Sequence, residues 1–373
     1  MEARVEFGIL SLLSYVPELD GAPPEVLRRL LDDATYADAL GYDSFWLTEH
    51  HFEPFGGLLS APAVVLGSIA QRTSRIRLGI AVSLLPLHHP LALAEQWATV
   101  DVLSGGRLDL GIGKGFSRWE YTNFGVRFEE ASERFDEALD VMLTAWQPGR
   151  FDFDGKYYRF HDVQVLPTPV QQPHPRLWAS AVRTRDSYEW AGRRGYDLLT
   201  APFMMDRGKL REYLDLYHGT LADAGHSPAK EVLGNLHVCV APTRAEAVET
   251  AAPCFARMNA ARDAALSRDP SFPGPRPAQT HDGSPTAAVE DLIRNARTLV
   301  GSPEDCVRNL EVLSDELGVT HVIGTFHFGG MPRDAVRRSM ELFIREVAPH
   351  LRQRGQAPRA SAAAAEAPSP AAR

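Results

Sequence analysis

Two hydrophobic periods alternate along this chain. Short, nearly unbroken apolar runs lie at 5–12 (VEFGILSL), 44–49 (SFWLTE), 75–85 (RIRLGIAVSLL), 107–113 (RLDLGIG), 176–182 (RLWASAV), 196–200 (YDLLT), 231–242 (EVLGNLHVCVAP) and 319–328 (VTHVIGTFHF). Such runs read as strands buried on both faces. Between them, apolar residues recur at helical spacing over 24–41, 61–73, 90–106, 132–146, 186–195, 207–225, 244–262, 303–318 and 335–351. Several of these helices stop at a glycine. Eight strands, each followed by a helix, predict an α/β fold: a parallel (β/α)8 TIM barrel. A doubly wound open sheet shares the alternation, but it usually has fewer strands and a glycine-rich first turn, and neither is found here.

Three segments break the rhythm. Residues 151–167 alternate aromatic and polar positions around Asp154-Gly155, a hairpin signal. Residues 267–285 are rich in proline, glycine and polar side chains, the composition of a lid or a disordered loop. From 354 to 373 the chain is mostly Ala, Pro, Ser and Arg, and is expected to form a disordered tail to a single domain spanning 1–353.

Charge and cysteine content narrow the classes. With 39 basic and 48 acidic side chains the net charge is −9, which argues against nucleic acid or an anionic membrane as the main partner. The longest apolar run, 78–87, is too short to span a bilayer. The N-terminus carries Glu2 and Glu6 and reads as a first strand, not a signal peptide. Cys239, Cys254 and Cys306 are odd in number and far apart, so a cytoplasmic protein without a disulfide framework is expected.

In a barrel, active-site groups sit at the C-terminal ends of the strands. Those ends supply Leu12, then Glu49, His50 and His51, then Ala81, Val82 and Ser83. Further round come Gly113, Lys114, Gly115 and Phe116, then Ser180 with Arg183, Thr184 and Arg185 beyond it, and finally Thr325, His327 and Phe328. Neighbouring residues on a strand face opposite ways, so His50 and His51 are not expected to share a metal, and no metal site is predicted. His88 and His89 precede Pro90 and read as a turn or helix start. The stretch GIGKGFSR at 111–118 brings backbone and one lysine near an anion, but its spacing is not that of a nucleotide-triphosphate loop.

Taken in order, EHHF, GIAVSLLPLHHP, LSGGRLDLGIGKG and the late segments GSPEDCVRNLEVL and GVTHVIGTF resemble the bacterial luciferase-like flavin monooxygenase family over roughly residues 5 to 350. WLTEHHFEPFGGL is similar to the luciferase catalytic subunit. The resemblance implies a luciferase-like barrel with a mobile lid at 267–285, and reduced FMN from a separate flavin reductase. It implies O2 adding at the flavin C4a position, a sheltered peroxide, and transfer of one oxygen atom to a small apolar organic substrate. His50 then becomes the catalytic histidine, able to exchange a proton near neutral pH. Glu120 becomes a second ionisable group beside the ring, with a surface carboxylate the plainer alternative. Glu49 also falls among the cofactor-binding positions. Gly113, Gly115 and Ser180 line the flavin, and Ala81, Val82 and Ser83 form the bulge that supports its ring, with a cis peptide between Ala81 and Val82. The flavin phosphate would be held by Lys114, Arg134, Thr184 and Ser187. The plainer reading of Arg134 is a pair within its own helix, with Glu130 or Asp136.

Two departures stand out. The luciferase subunit has an arginine where Lys114 stands, so the bidentate fork is lost. It has a cysteine where Gly113 stands, which implies more room beside the flavin here and puts aldehyde specificity in doubt. Trp119, Phe116, Leu12 and Phe328 are expected as apolar pocket walls. A homodimer through the helix at 61–73 is implied by analogy. The alternatives are an F420-dependent oxidoreductase of the same superfamily, a non-catalytic partner subunit and, more distantly, a metal-dependent hydrolase.

Overall fold

The computed structural model describes residues 5–53, 55–227, 230–267 and 284–354. The expected lid at 267–285, apart from its edges, and the tail fall outside these residues. Among the described residues the strands are β1 (Glu6–Ser11), β2 (Ser44–Leu47), β3 (Arg77–Leu84), β4 (Leu108–Gly113), β5 (Phe151–Asp154), β6 (Arg159–Val163), β7 (Arg176–Ser180), β8 (Asp197–Thr200), β9 (Val232–Val240), β10 (Leu299–Gly301) and β11 (His321–Thr325). Eight of them close a parallel barrel in the order β1-β2-β3-β4-β7-β8-β9-β11 and back to β1. Helices cover the outside. In Pro23–Leu40, Val26, Leu30, Ala34 and Ala37 form the buried stripe, a proline opens the first turn, and Gly41 ends the helix in the left-handed region at φ 94°.

The barrel interior is stacked in layers. Leu10, Trp46, Trp178, Leu199, Leu233 and Ile323 form one buried cluster inside it. Trp46 and Trp178 meet edge-on with ring centroids 5.9 Å apart. Room for the Trp46 indole exists because Gly79 faces it; a Cβ at position 79 would overlap the ring. Two residues before Trp178, Leu199, Leu233 and Ile323, and so on the same face, stand Arg176, Asp197, Glu231 and His321, part of a charged layer that also takes in Glu6, Arg77 and Asp109. There Arg77 pairs with Asp109 at 2.7 Å, Arg176 with Asp197 at 2.8 Å and with Glu231, and His321 with Glu6 at 2.9 Å and Glu231 at 2.8 Å. These charges close the N-terminal end of the barrel.

The structure adds elements that the sequence pattern did not mark. The helix Pro285–Arg294 and the strand β10 precede the helix Pro303–Leu317, with β10 pairing the far half of β9 from Leu299↔Val238 to Gly301↔Val240. A short helix, Arg118–Asn123, follows β4. The closing helix is interrupted by a π-turn over Phe343–Val347. The expected hairpin forms from β5 and β6, but Asp154-Gly155 is not a two-residue turn. Residues 155–158 make the loop, because the Glu137 carboxylate accepts the amides of Lys156, Tyr157 and Tyr158 at 3.0, 2.8 and 2.7 Å. β2 ends at Leu47, so Thr48 and Glu49 leave the ladder before the site begins.

Candidate active site

His50, His51 and Glu49 leave the end of β2 with their side chains divided between two environments. His50 stands beside Phe116 and Phe55, with ring centroids 6.0 and 6.3 Å away. A Cβ at Gly56 would come within 2.6 Å of the imidazole and 3.1 Å of Leu12, so that glycine, at φ 87°, lets the chain pass close to both. The His50 side chain is 19% exposed and can be reached. Its Nδ1 lies 3.6 Å from Oε1 of Glu120. Glu120 is buried, not a surface carboxylate, and the same Oε1 accepts the His51 backbone N–H at 2.8 Å. The short helix that carries Glu120 is capped by Ser117, whose hydroxyl accepts the Glu120 amide.

Glu49 and His51 point elsewhere. Oε1 of Glu49 accepts from His51 Nε2 at 3.1 Å and from His88 Nε2, while Oε2 accepts the Leu84 amide at 3.0 Å. Burial favours the neutral acid, but these donors overcome it and hold the Glu49 carboxyl at about 2. The carboxylate is therefore committed to these donors rather than presented to a cofactor. Glu49, His51 and His88 also bring three potential ligand atoms within 4.8 Å of one another, a group that alternation along a single strand did not reveal. Phe124 packs edge-on against His51 at 4.7 Å.

At β3 the peptide between Ala81 and Val82 is cis, and the register with β4 shifts between Ile80 and Ser83. The structure brings Val82, Gly113 and Ser180 together: a Cβ at Gly113 would overlap Val82 and lie 3.6 Å from Ser180. The expectation that Gly113 leaves extra room is thus corrected, because the Val82 methyl already takes that space. Ser83 turns away from the barrel and its hydroxyl accepts Trp97 Nε1 at 3.1 Å. Phe328, expected as a pocket wall, is buried against Phe255 and His237 at centroid distances of 4.7 and 5.1 Å. Burial, with the charge of Arg262 nearby, pushes His237 down to about 3, so it is neutral.

The anion-binding candidates flank β4 and β7, which are hydrogen-bonded neighbours. Lys114 Nζ donates to Ser132 Oγ at 3.1 Å, and Gly115 turns the chain at φ 76°. Thr184 and Ser187, with hydroxyls 2.8 Å apart, sit at the start of the helix Arg185–Arg194, whose amides and dipole suit an anion. Arg134 instead pairs with Glu130 of its own helix at 2.8 Å and lies over the Tyr157 ring at 4.3 Å. A flavin fits this donor set. The bulge at 81–82 and Gly113 offer a flat support, and Thr48, just past the end of the neighbouring strand β2, has a buried hydroxyl without a hydrogen-bond partner. Lys114, Thr184 and Ser187 would take the phosphate.

A closed parallel barrel with an imidazole, a carboxylate and a bulged strand at its C-terminal mouth defines an enzyme of the luciferase-like barrel class. The chain belongs to the luciferase-like monooxygenase family, whose model matches residues 5–321. Among its relatives, 4-hydroxyprotoasukamycin monooxygenase of Streptomyces nodosus subsp. asukaensis is 28% identical over 93% of this chain and 92% of its own length. The crystal structure of monooxygenase RslO1 from Streptomyces bottropensis is 28% identical, with a TM-score of 0.83 over 92% of this chain and 99% of that one. The oxygenating constituent of 3,6-diketocamphane monooxygenase from Pseudomonas putida, a type II Baeyer-Villiger monooxygenase in complex with FMN, shares the fold at 22% identity, with a TM-score of 0.78 over 93% of this chain and 98% of that one. The protein is a flavin monooxygenase.

Proposed function

We propose that this chain is the oxygenase component of a two-component system. It takes reduced FMN from a separate flavin reductase and transfers one atom of O2 to a small apolar organic substrate. The observation that carries this reading is the meeting of His50 and Glu120 at the barrel mouth that also bears the Ala81–Val82 bulge and Gly113. The FMN held by the camphane enzyme supports the choice of cofactor. Bound there, the flavin supplies the activation of oxygen. The protein's own part is to seat its phosphate near Lys114, Thr184 and Ser187, to exclude water, and to move a proton at His50 with Glu120 beside it. Phe116 and Trp119, both partly exposed near the mouth, suit an apolar substrate.

The protein works in the cytoplasm as a homodimer. Helix Pro62–Ala70 buries Leu66 and Ile69 against its own barrel yet leaves Val64 70% exposed, and the neighbouring Val102 and Leu103 are exposed too. Such a patch suits a second copy of the chain. Among the described residues no helix is long and apolar enough to cross a membrane.

The test is aerobic turnover with FMN, NADH, a general flavin reductase and a panel of apolar ketones and aldehydes under 18O2. One labelled oxygen in a product is expected. Turnover with reduced F420 and no label would overturn the reading.

A further inference from the structure

Glu49 carries a buried negative charge that the chemistry above does not use. Its side chain is only 2% exposed, too enclosed to touch a ligand. What it touches are three pieces of the site. Through Oε2 it holds the amide of Leu84, the last residue of β3 and two residues past the cis peptide. Through Oε1 it holds His51, the residue after His50, whose backbone N–H is in turn held by Glu120. Through the same oxygen it holds His88, two residues before the helix Pro90–Ser104 begins. An ionised carboxylate accepts only, so both imidazoles donate to it. Charge-assisted bonds of this kind are short and directional, and in a dry setting they fix geometry strongly.

We propose that Glu49 is a positioning residue that, with His51 and His88 as its partners, sets where the His50 imidazole stands relative to the Ala81–Val82 bulge. Glu49 does not meet the reacting atoms. It acts through groups on either side of them: the His51 ring on one side, the Leu84 amide on the other. The part of the proposal that concerns alignment to a flavin rests on the proposed function; the part that concerns His50 and the bulge rests on the protein alone. His88 belongs to this device because it supplies the second donor from outside both strands. Without it, Oε1 is held from one side only.

The experiment uses the full chain with 15N-labelled histidine and the variants Glu49→Gln and His88→Gln. Glu49→Gln keeps an oxygen for Leu84 but sets its NH2 group against both imidazoles, which share Oε1 in the wild type. His88→Gln leaves Glu49 its bonds to Leu84 and His51, and serves if the first variant does not fold. The first readout is the ring 15N signals of His50 in the ligand-free protein. Both variants should displace these signals, while those of distant His321 stay put. Unmoved His50 signals in both variants overturn the proposal.

The second readout is hydrogen peroxide release from protein loaded with reduced FMN and exposed to air. It should rise about tenfold or more in Glu49→Gln, because small misplacements of reacting groups have large effects on rate. The dissociation constant for reduced FMN should change less than about threefold, a split that general loss of structure would not give. If wild-type protein does not bind reduced FMN, the proposed function fails while the first readout still decides the positioning role. Stoichiometric binding of Co2+ to the wild type, with visible absorption bands lost in Glu49→Gln, would make the three groups a metal site and overturn the proposal.

Discussion

Oε1 of Glu120 accepts the His51 amide at 2.8 Å and stands 3.6 Å from Nδ1 of His50. One buried carboxylate thus fixes the backbone of the histidine pair and faces the His50 imidazole. Replacing His50 by Ala is expected to abolish oxygen transfer while reduced FMN still binds. Glu120→Gln keeps an acceptor for the His51 amide but removes the charge, so kcat should fall by roughly 10²-fold with little change in flavin affinity. Steady-state kinetics and anaerobic flavin titration together check both outcomes.

Gly113→Cys forces a side chain into the space held by Val82. The single variant should weaken reduced-FMN binding and destabilise the fold by roughly 1–3 kcal/mol. Val82→Ala in the same chain should restore much of both. A double-mutant cycle on urea midpoints and flavin affinity measures the coupling, and strict additivity would contradict the contact.

Gly79→Ala places a methyl against the Trp46 indole inside the barrel. There the indole Nε1 donates to Ser44 at 2.8 Å, and Trp178 stands edge-on at 5.9 Å, so it cannot retreat. A loss of roughly 1–3 kcal/mol is expected from urea unfolding. An unchanged midpoint would show that the interior layer is looser than described.

Stability should depend on pH through His321. Burial alone would lower an imidazole, but Glu231 and Glu6 outweigh it and raise His321 from 6.5 to about 9. The folded chain then holds this proton more tightly than the unfolded chain. The stabilisation is complete below pH 6.5 and disappears as pH rises through 9, a change on the order of 3 kcal/mol. The partner Glu231 runs the other way. Burial raises it, His321 and Arg176 bring it down to about 2, and its contribution fades as pH falls below 4.5. Urea unfolding across the alkaline limb, compared with His321→Gln, should show this loss in the wild type and not in the variant.

Val64→Glu places a charge on the exposed face of the helix Pro62–Ala70. Sedimentation velocity should show dimers for the wild type and monomers for the variant, with unfolding midpoints nearly equal. A wild-type monomer would remove the dimer from the proposed function.

The barrel was legible because buried parallel strands write themselves as apolar runs, and because prolines and glycines mark the helix ends. β10 was not: three residues pairing only with the end of β9 carry no period to detect. At the candidate site, EHHF and the glycines of β4 do fall at the ends of β2 and β4, and the Ala81–Val82 cis peptide is present as the resemblance implied. Division of labour within EHH was hidden. Glu49 and His51 are two apart and share one side, but their partner His88 lies 37 residues beyond His51 and meets them only once β2 and β3 lie side by side. Arg134 shows the opposite case, since its spacing to Glu130 already offered the pair that forms.

The edge-on tryptophans and the ion cluster beneath them make the barrel a blind alley. Whatever binds between the strands must come and go by one doorway, and whatever enters first becomes the floor on which the next arrival rests.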